Sequence, residues 1–206
     1  MEAKLLAFPV RSLAGCFAWL TCPAVLERFK RDTGKDVPVP QPDKEKAIAG
    51  SDHIVNNQVV FEEYALAVQA PGEGKSAADL AKALKDCTAD PLWTSKLDKR
   101  LAIVSDELFQ HFVTTCTEVV TRVKIDPKTR TVDGGALFNQ ENVPCEALFY
   151  SVLTVLSTRR SNDDPKLDAN ALLKQLLPDE KPPLLQIGGD ETTGHGICET
   201  KMEELK

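Results

Sequence analysis

An α+β fold is what this chain predicts. Strand-type alternation dominates, helical patterns are few and short, and the two do not alternate in the regular order of a parallel α/β sheet. The clearest alternation is TEVVTRVKID (117–126), which puts Val119, Thr121, Val123 and Ile125 on one face and Arg122 and Lys124 on the other. The 206 residues suit one domain, or one domain with an elaborate insertion, and a 42% apolar content excludes wholesale disorder. No apolar run reaches the length of a membrane span. The segment MEAKLLAFPVRS carries an acid early and an arginine inside its apolar stretch, unlike a secretory signal. A cytoplasmic protein without a membrane partner is expected.

In chain order, KLLAFPVRSL (4–13) reads as a strand whose Pro9 marks an edge or a bulge. Thr21 and Cys22 before Pro23 start a helix over AVLERFKRD, which Gly34 stops. DVPVPQPDKEK is a proline-punctuated loop. IVNNQVVFEEYALAV reads as strand interrupted by an Asn-Asn hairpin turn. SAADLAKALKD is a helix with Ser76 as cap and Asp79 reaching back to it, and SDELFQHFVTTC repeats the device from Ser105. Residues 36–116, acidic and loop-rich, read as an insertion rather than core. KIDPKTRT (124–131) is a hairpin tip with Lys124, Lys128 and Arg130, either a solvated turn or a basic projection. EALFYSVLTVLST reads as a long strand buried on both faces in its middle. DANALLKQLLPD is an amphipathic helix closed by Pro178, and LLQIGG is a buried strand entering a glycine-rich loop, with ICETKMEEL following.

The net charge of −6 argues at face value against nucleic acid. Its distribution is uneven. Residues 1–35 hold six Lys/Arg against three Asp/Glu and 117–160 hold six against five, whereas 36–116 hold eight against thirteen and 161–206 five against ten. A basic face from the first and third segments stays open. Six cysteines (16, 22, 87, 116, 145 and 198) lack any C-x-x-C spacing, and only His53, His111 and His195 accompany them, so buried free thiols in a reducing compartment are expected rather than a zinc site.

The loop GGDETTGHG (188–196) has four glycines in nine positions. It reads either as a tight turn or as a nest of amides for an anion, with Thr192, Thr193 and His195 adding donors. It is neither a P-loop nor a dinucleotide fingerprint. Glu141 and Glu146 flank Pro144 as a possible acid and base pair, against the simpler reading of two solvated acids. No nucleophile motif is present.

Three blocks, FPVRSLAGCFAWLTCPAVLERF (8–29), GALFNQENVPCEALFYSVL (135–153) and LLQIGGDETTGHG (184–196), resemble in order the backbone RAMP subunit of the Cmr-type, type III-B CRISPR effector complex. The resemblance implies an RRM-like, ferredoxin-like core with insertions. It implies copies stacked in a helical filament on a CRISPR guide RNA, beside other Cmr subunits, with a hairpin thumb interrupting the guide–target duplex in antiviral defence. KIDPKTRT is the candidate thumb. Arg11, Ser12 and the loop Gly188, Gly189, Thr192, Thr193, Gly194, His195 and Gly196 would face the guide, by contacts to phosphate that are indifferent to base sequence. Ala14 stands where a basic residue is common.

The family also cleaves single-stranded target RNA with a divalent metal (Mg or Mn), through attack of a ribose 2′-hydroxyl on the adjacent phosphate. Its aspartate lies ahead of the F-P-V-R-S block, for which this chain offers no counterpart, so no residue is carried over. Glu141, Glu146 and Tyr150 are candidates to assist. Two expectations follow: a guide-carrying backbone subunit, or a truncated interaction module of the same complex without cleavage of its own. With the first β-α unit missing, the sheet is expected to expose an unpaired edge.

Overall fold

The computed structural model describes residues 2–88, 90–126, 128–158, 168–176 and 184–204. Strands β1 (Lys4–Ser12) and β2 (Cys16–Thr21) form an antiparallel hairpin followed by α1 (Pro23–Thr33). Next come β3 (Lys46–Ala49), β4 (Gln58–Phe61), β5 (Tyr64–Val68), α2 (Ala77–Leu84), α3 (Pro91–Arg100), β6 (Leu101–Ile103) and α4 (Asp106–Thr115). The rest comprises β7 (Glu118–Ile125), β8 (Val132–Asn142), β9 (Leu148–Tyr150), α5 (Ala169–Leu176), β10 (Leu184–Gln186) and β11 (Ile197–Glu199).

One mixed sheet runs β2-β6-β3-β5-β4-β1-β9, and β2 also pairs with β1, so the ribbon from β2 round to β1 closes into a small barrel. The β2–β6 and β3–β5 pairs are parallel, while β3–β6, β4–β5 and the pairs of β1 are antiparallel. The unpaired edge expected of the sheet does not fall on β1, and the ribbon ends at β9. Phe8 to Ser12 pair with β2, Lys4, Leu5 and Ala7 pair with β9, and Ser12 also pairs with Phe61 of β4. Pro9, which has no N–H to give, has a register partner in β2 (Trp19) and none in β9 or β4.

The core fills the space between barrel and helices, with Phe8, Trp19, Leu20, Leu26, Phe61, Leu80, Leu84, Leu97, Ile103 and Phe112 among its fully buried side chains. Residues 36–116, read from composition as an insertion, supply β3 to β6 and much of this core. Their acidity lies in the loops and outer faces. Helix α3 and strands β2 and β6 lie in stretches left unassigned above. Gly50 marks a close approach within the barrel: its amide donates to Leu101 O at 2.8 Å, and an added Cβ would overlap the Lys99 carbonyl.

Local signals resolve unevenly. The Ser76–Asp79 capping box forms in both directions at 3.1 Å, and Ser105 Oγ accepts from Leu108 N. At α1 the hydroxyl of Thr21 does not cap. Cys22 is the N-cap residue without a side-chain bond, and Ala24 N instead donates to Asp106 Oδ1 of α4 at 2.9 Å. The Asn56-Asn57 turn forms, both residues having positive φ, but the main hairpin is β4–β5 around Glu62. The long buried strand expected over 146–158 is only β9, and Leu153 and Leu156 are exposed. Strand β10 pairs with β11, also exposed rather than buried. Pro178 lies outside the described residues.

Candidate nucleic-acid interface

Strands β7 and β8 form a hairpin in register from Glu118–Asn142 to Ile125–Val132, with a bulge after Val123. Opposed residues share a face, so Val120 with Gln140 and Arg122 with Phe138 lie on one side, while Val119 with Glu141 and Val123 with Leu137 lie on the other. At the tip, Asp126 Oδ1 accepts from the amides of Lys128 (2.6 Å) and Thr129 (3.3 Å), and Arg130 adopts φ 57. This compact turn holds the Lys128 and Arg130 side chains out in solvent. Lys124 sits on the last strand residues before it, and Pro127 lies outside the described residues.

The glycine-rich loop packs on the first of those faces. Arg122 Nη2 lies 2.7 Å from His195 Nε2, and Gln140 Nε2 donates to the Asp190 carboxylate. The loop is built for this by its backbone. Gly188, Asp190, Gly194 and Gly196 have positive φ, and Thr193 N and Oγ1 both donate to Asp190 O at 2.9 Å. Gly196 is obligatory, because its O accepts from Ile187 N at 2.8 Å and a Cβ there would overlap Ile187 O. Gly188 and Gly189 have open space around them, and Thr192 is exposed. The structure thus joins two motifs that sequence treated separately, through Arg122 and Gln140, which were not singled out. Strand parity is the signal that finds them: Arg122 was already on the non-apolar face.

Arg11 ends β1 and forks onto Glu62 in the β4–β5 turn, with Nε 2.9 and 3.1 Å from the carboxylate oxygens and Nη2 at 2.5 Å. The arginine side chain is 84% exposed and the glutamate 15%, so the carboxylate lies beneath the guanidinium. This pairing holds the Glu62 carboxyl below its usual range. The two residues line a cleft of about 360 Å³ with Glu63, Thr115, Cys116 and Thr117, the root of the β7–β8 hairpin. Ser12 turns inward, its Oγ 3.0 Å from Nδ1 of the buried His53.

Glu141, Glu146 and Tyr150 take separate partners. Thr117 donates to Glu141 at 2.6 Å, Glu146 O accepts from Trp19 Nε1 at 3.0 Å, and Tyr150 donates to Asp32 at 3.0 Å. Partial burial, with Asp90 nearby, pushes the Glu146 carboxyl up. Asp32, bonded first by Lys4 and also by Tyr150, is lowered to about 2. No three His, Cys, Asp or Glu side chains gather into a ligand set among the described residues. Bonded to separate partners, these residues do not form a ligand set for a divalent ion. All six cysteines are free, and burial pushes the Cys22 thiol up to about 12. No helix among the described residues is long and apolar enough to cross a membrane.

Residues 4–199 match the family model of the RAMP superfamily. The CRISPR system Cmr endoribonuclease Cmr4 of Pyrococcus furiosus is 36% identical over 209 residues, spanning 99% of this chain and 68% of that one. A crystal structure of oligomeric Cmr4 from Pyrococcus furiosus superposes with a TM-score of 0.71 at 33% identity, over 94% of this chain and 68% of the other. A chain of the type III-B Cmr-beta complex bound to cognate target RNA, solved by cryo-EM, shares the fold at 16% identity, with a TM-score of 0.63 over 97% of this chain and 67% of its own. With its barrel, hairpin and docked glycine-rich loop, the chain belongs to the RAMP superfamily, and within it to the Cmr4 (Cas7) subunits of type III-B CRISPR Cmr complexes.

Proposed function

We propose that this subunit carries the guide RNA of its complex, in repeated copies along the guide and beside other Cmr subunits, so that single-stranded target RNA pairs in antiviral defence. On this reading the barrel is an RRM-like core elaborated for that task. The observation that carries it is the joining of the β7–β8 hairpin and the glycine-rich loop into one surface by Arg122–His195 and Gln140–Asp190. Such a surface offers cations and backbone amides, groups that meet phosphate rather than base edges, which suits a guide of arbitrary sequence. Arg11, with its outer edge exposed, stands at the cleft by the hairpin root, and Lys128 and Arg130 extend the basic side to the tip.

Fluorescence anisotropy with two unrelated single-stranded RNAs tests this. Binding is expected for both at low salt, with log affinity falling linearly against log salt, and with Lys128→Gln and Arg130→Gln together flattening that line by about 1 to 2 units. No binding at low salt, either alone or with the partner subunits, would sink the guide-carrying reading and leave an interaction module.

A further inference from the structure

We propose that the segment around Lys201 and Glu203 is a charge-held strap, which ties the β10–β11 unit to the helix side of the barrel and closes over the Cys87 thiol. The unit already leans on the β7–β8 hairpin through His195 and Asp190. Past β11 the chain makes two contacts of another kind. Glu203 pairs with Lys35, which follows the Gly34 cap of α1. Lys201 Nζ donates to Asp86 O in the turn Lys85–Cys87 that follows α2. That carbonyl lies beyond the end of α2, where oxygens without an intrahelical partner draw a cation. The strap thus bridges the ends of two helices that are distant in sequence.

Cys87 sits at the crossing. Lys35, Lys201, Glu203 and Asp86 all stand close enough to act on its charge, and burial pushes the thiol up to about 11. The contacts that hold the strap are weak ones. Glu203, Lys201 and Asp86 are exposed, and an ion pair open to water contributes little and is screened by salt. Leu80 and Leu84 of α2, by contrast, are fully buried in the core. The strap can therefore open while the barrel stays folded. Opening and thiol chemistry are then reciprocal: a group that attaches to Cys87 in the open form occupies the space the strap needs and holds it open.

Alkylation of the RNA-free chain by iodoacetamide, followed at each cysteine by peptide mass mapping, provides the test, with the exposed Cys16 as internal reference. Charge alone and opening predict different signs. The Lys35 charge lowers the Cys87 pKa and the Glu203 charge raises it. Under a strap that never opens, Lys35→Gln would therefore slow Cys87 labelling and Glu203→Gln would speed it. An opening strap makes both variants faster, by about two- to five-fold relative to Cys16, the range that an exposed ion pair supports. Slower or unchanged labelling in Lys35→Gln overturns the strap. Should that variant fail to fold, as judged by its thermal melt, the wild-type chain decides. Raising NaCl from about 0.05 M to about 1 M should speed Cys87 relative to Cys16, and an unchanged ratio overturns the strap. Trypsin reads the reciprocal effect. Prior alkylation should hasten cleavage after Lys201 in the wild-type chain and not in Cys87→Ser, and equal cleavage rates before and after alkylation overturn the closure over the thiol.

Discussion

His53 holds together two segments distant in sequence. Its Nδ1 lies 2.8 Å from Ala14 O and 3.0 Å from Ser12 Oγ, and its Nε2 lies 3.2 Å from Arg100 O. The β1–β2 turn is fitted to the ring, since a Cβ at Gly15 would stand 3.1 Å from His53 Cε1. Burial lowers the pKa below its ordinary 6.5, and the Ala14 and Arg100 carbonyls only partly oppose this. A lowered folded-state value means that the unfolded chain takes up the proton first, so the stability present above pH 6.5 declines as pH falls toward the folded value. Thermal melts between about pH 5 and pH 7 should show that decline in the wild-type chain and a shallower one in His53→Gln. Identical slopes in the two proteins would rule out His53 as the titrating group.

Helix α1 is held at its start by another helix. The Asp106 carboxylate opens α4 and accepts from Ala24 N at 2.9 Å, near the dipole-positive end of α1, where Cys22 offers no side-chain bond. Asp106→Ala should cost about 1 kcal/mol, with a range of about 0.5–2 kcal/mol, measured as the shift in urea midpoint at unchanged m-value. A loss within experimental error would show that water caps α1 equally well. This contact also explains which elements were legible in sequence. Ser76 with Asp79 and Ser105 with Leu108 act within one turn, so residue type and spacing suffice to read them. The Asp106 cap spans 82 positions and leaves no local trace. Helix α3 did carry a signal, Asp90 as cap with Pro91 following, but its apolar contacts are sparse, with Trp93 and Leu97 its buried residues. Residues 151–158 misled in the opposite sense, because an apolar run reads as buried strand wherever the surface beside it is unknown. The site was legible as two glycine-rich and basic motifs, but their union needed Arg122 and Gln140, which identify themselves only once the loop lies across the hairpin.

At the scale of the molecule, a net charge of −6 must be reconciled with two proposed associations, with RNA and with further copies of the chain. The two respond to salt in opposite directions. Phosphate contacts release counterions, so added salt weakens them. Copies of an acidic chain repel one another, and salt shortens that repulsion to about 10 Å at 0.1 M. Their attraction must come from a term that salt does not screen. The outer hairpin face supplies one: Val119 is 64% exposed and Leu137 67%, with Val123 and Ile125 beside them. Apolar area of this kind, uncovered in a single chain, is stabilised by contact with another surface. Sedimentation of the RNA-free chain should therefore show self-association that strengthens with added salt. Val119→Thr with Leu137→Thr should diminish it while moving the melting temperature little, because both side chains are solvent-facing. Self-association that weakens with salt, or that survives the double substitution unchanged, would assign the contact between copies to charged groups elsewhere on the barrel.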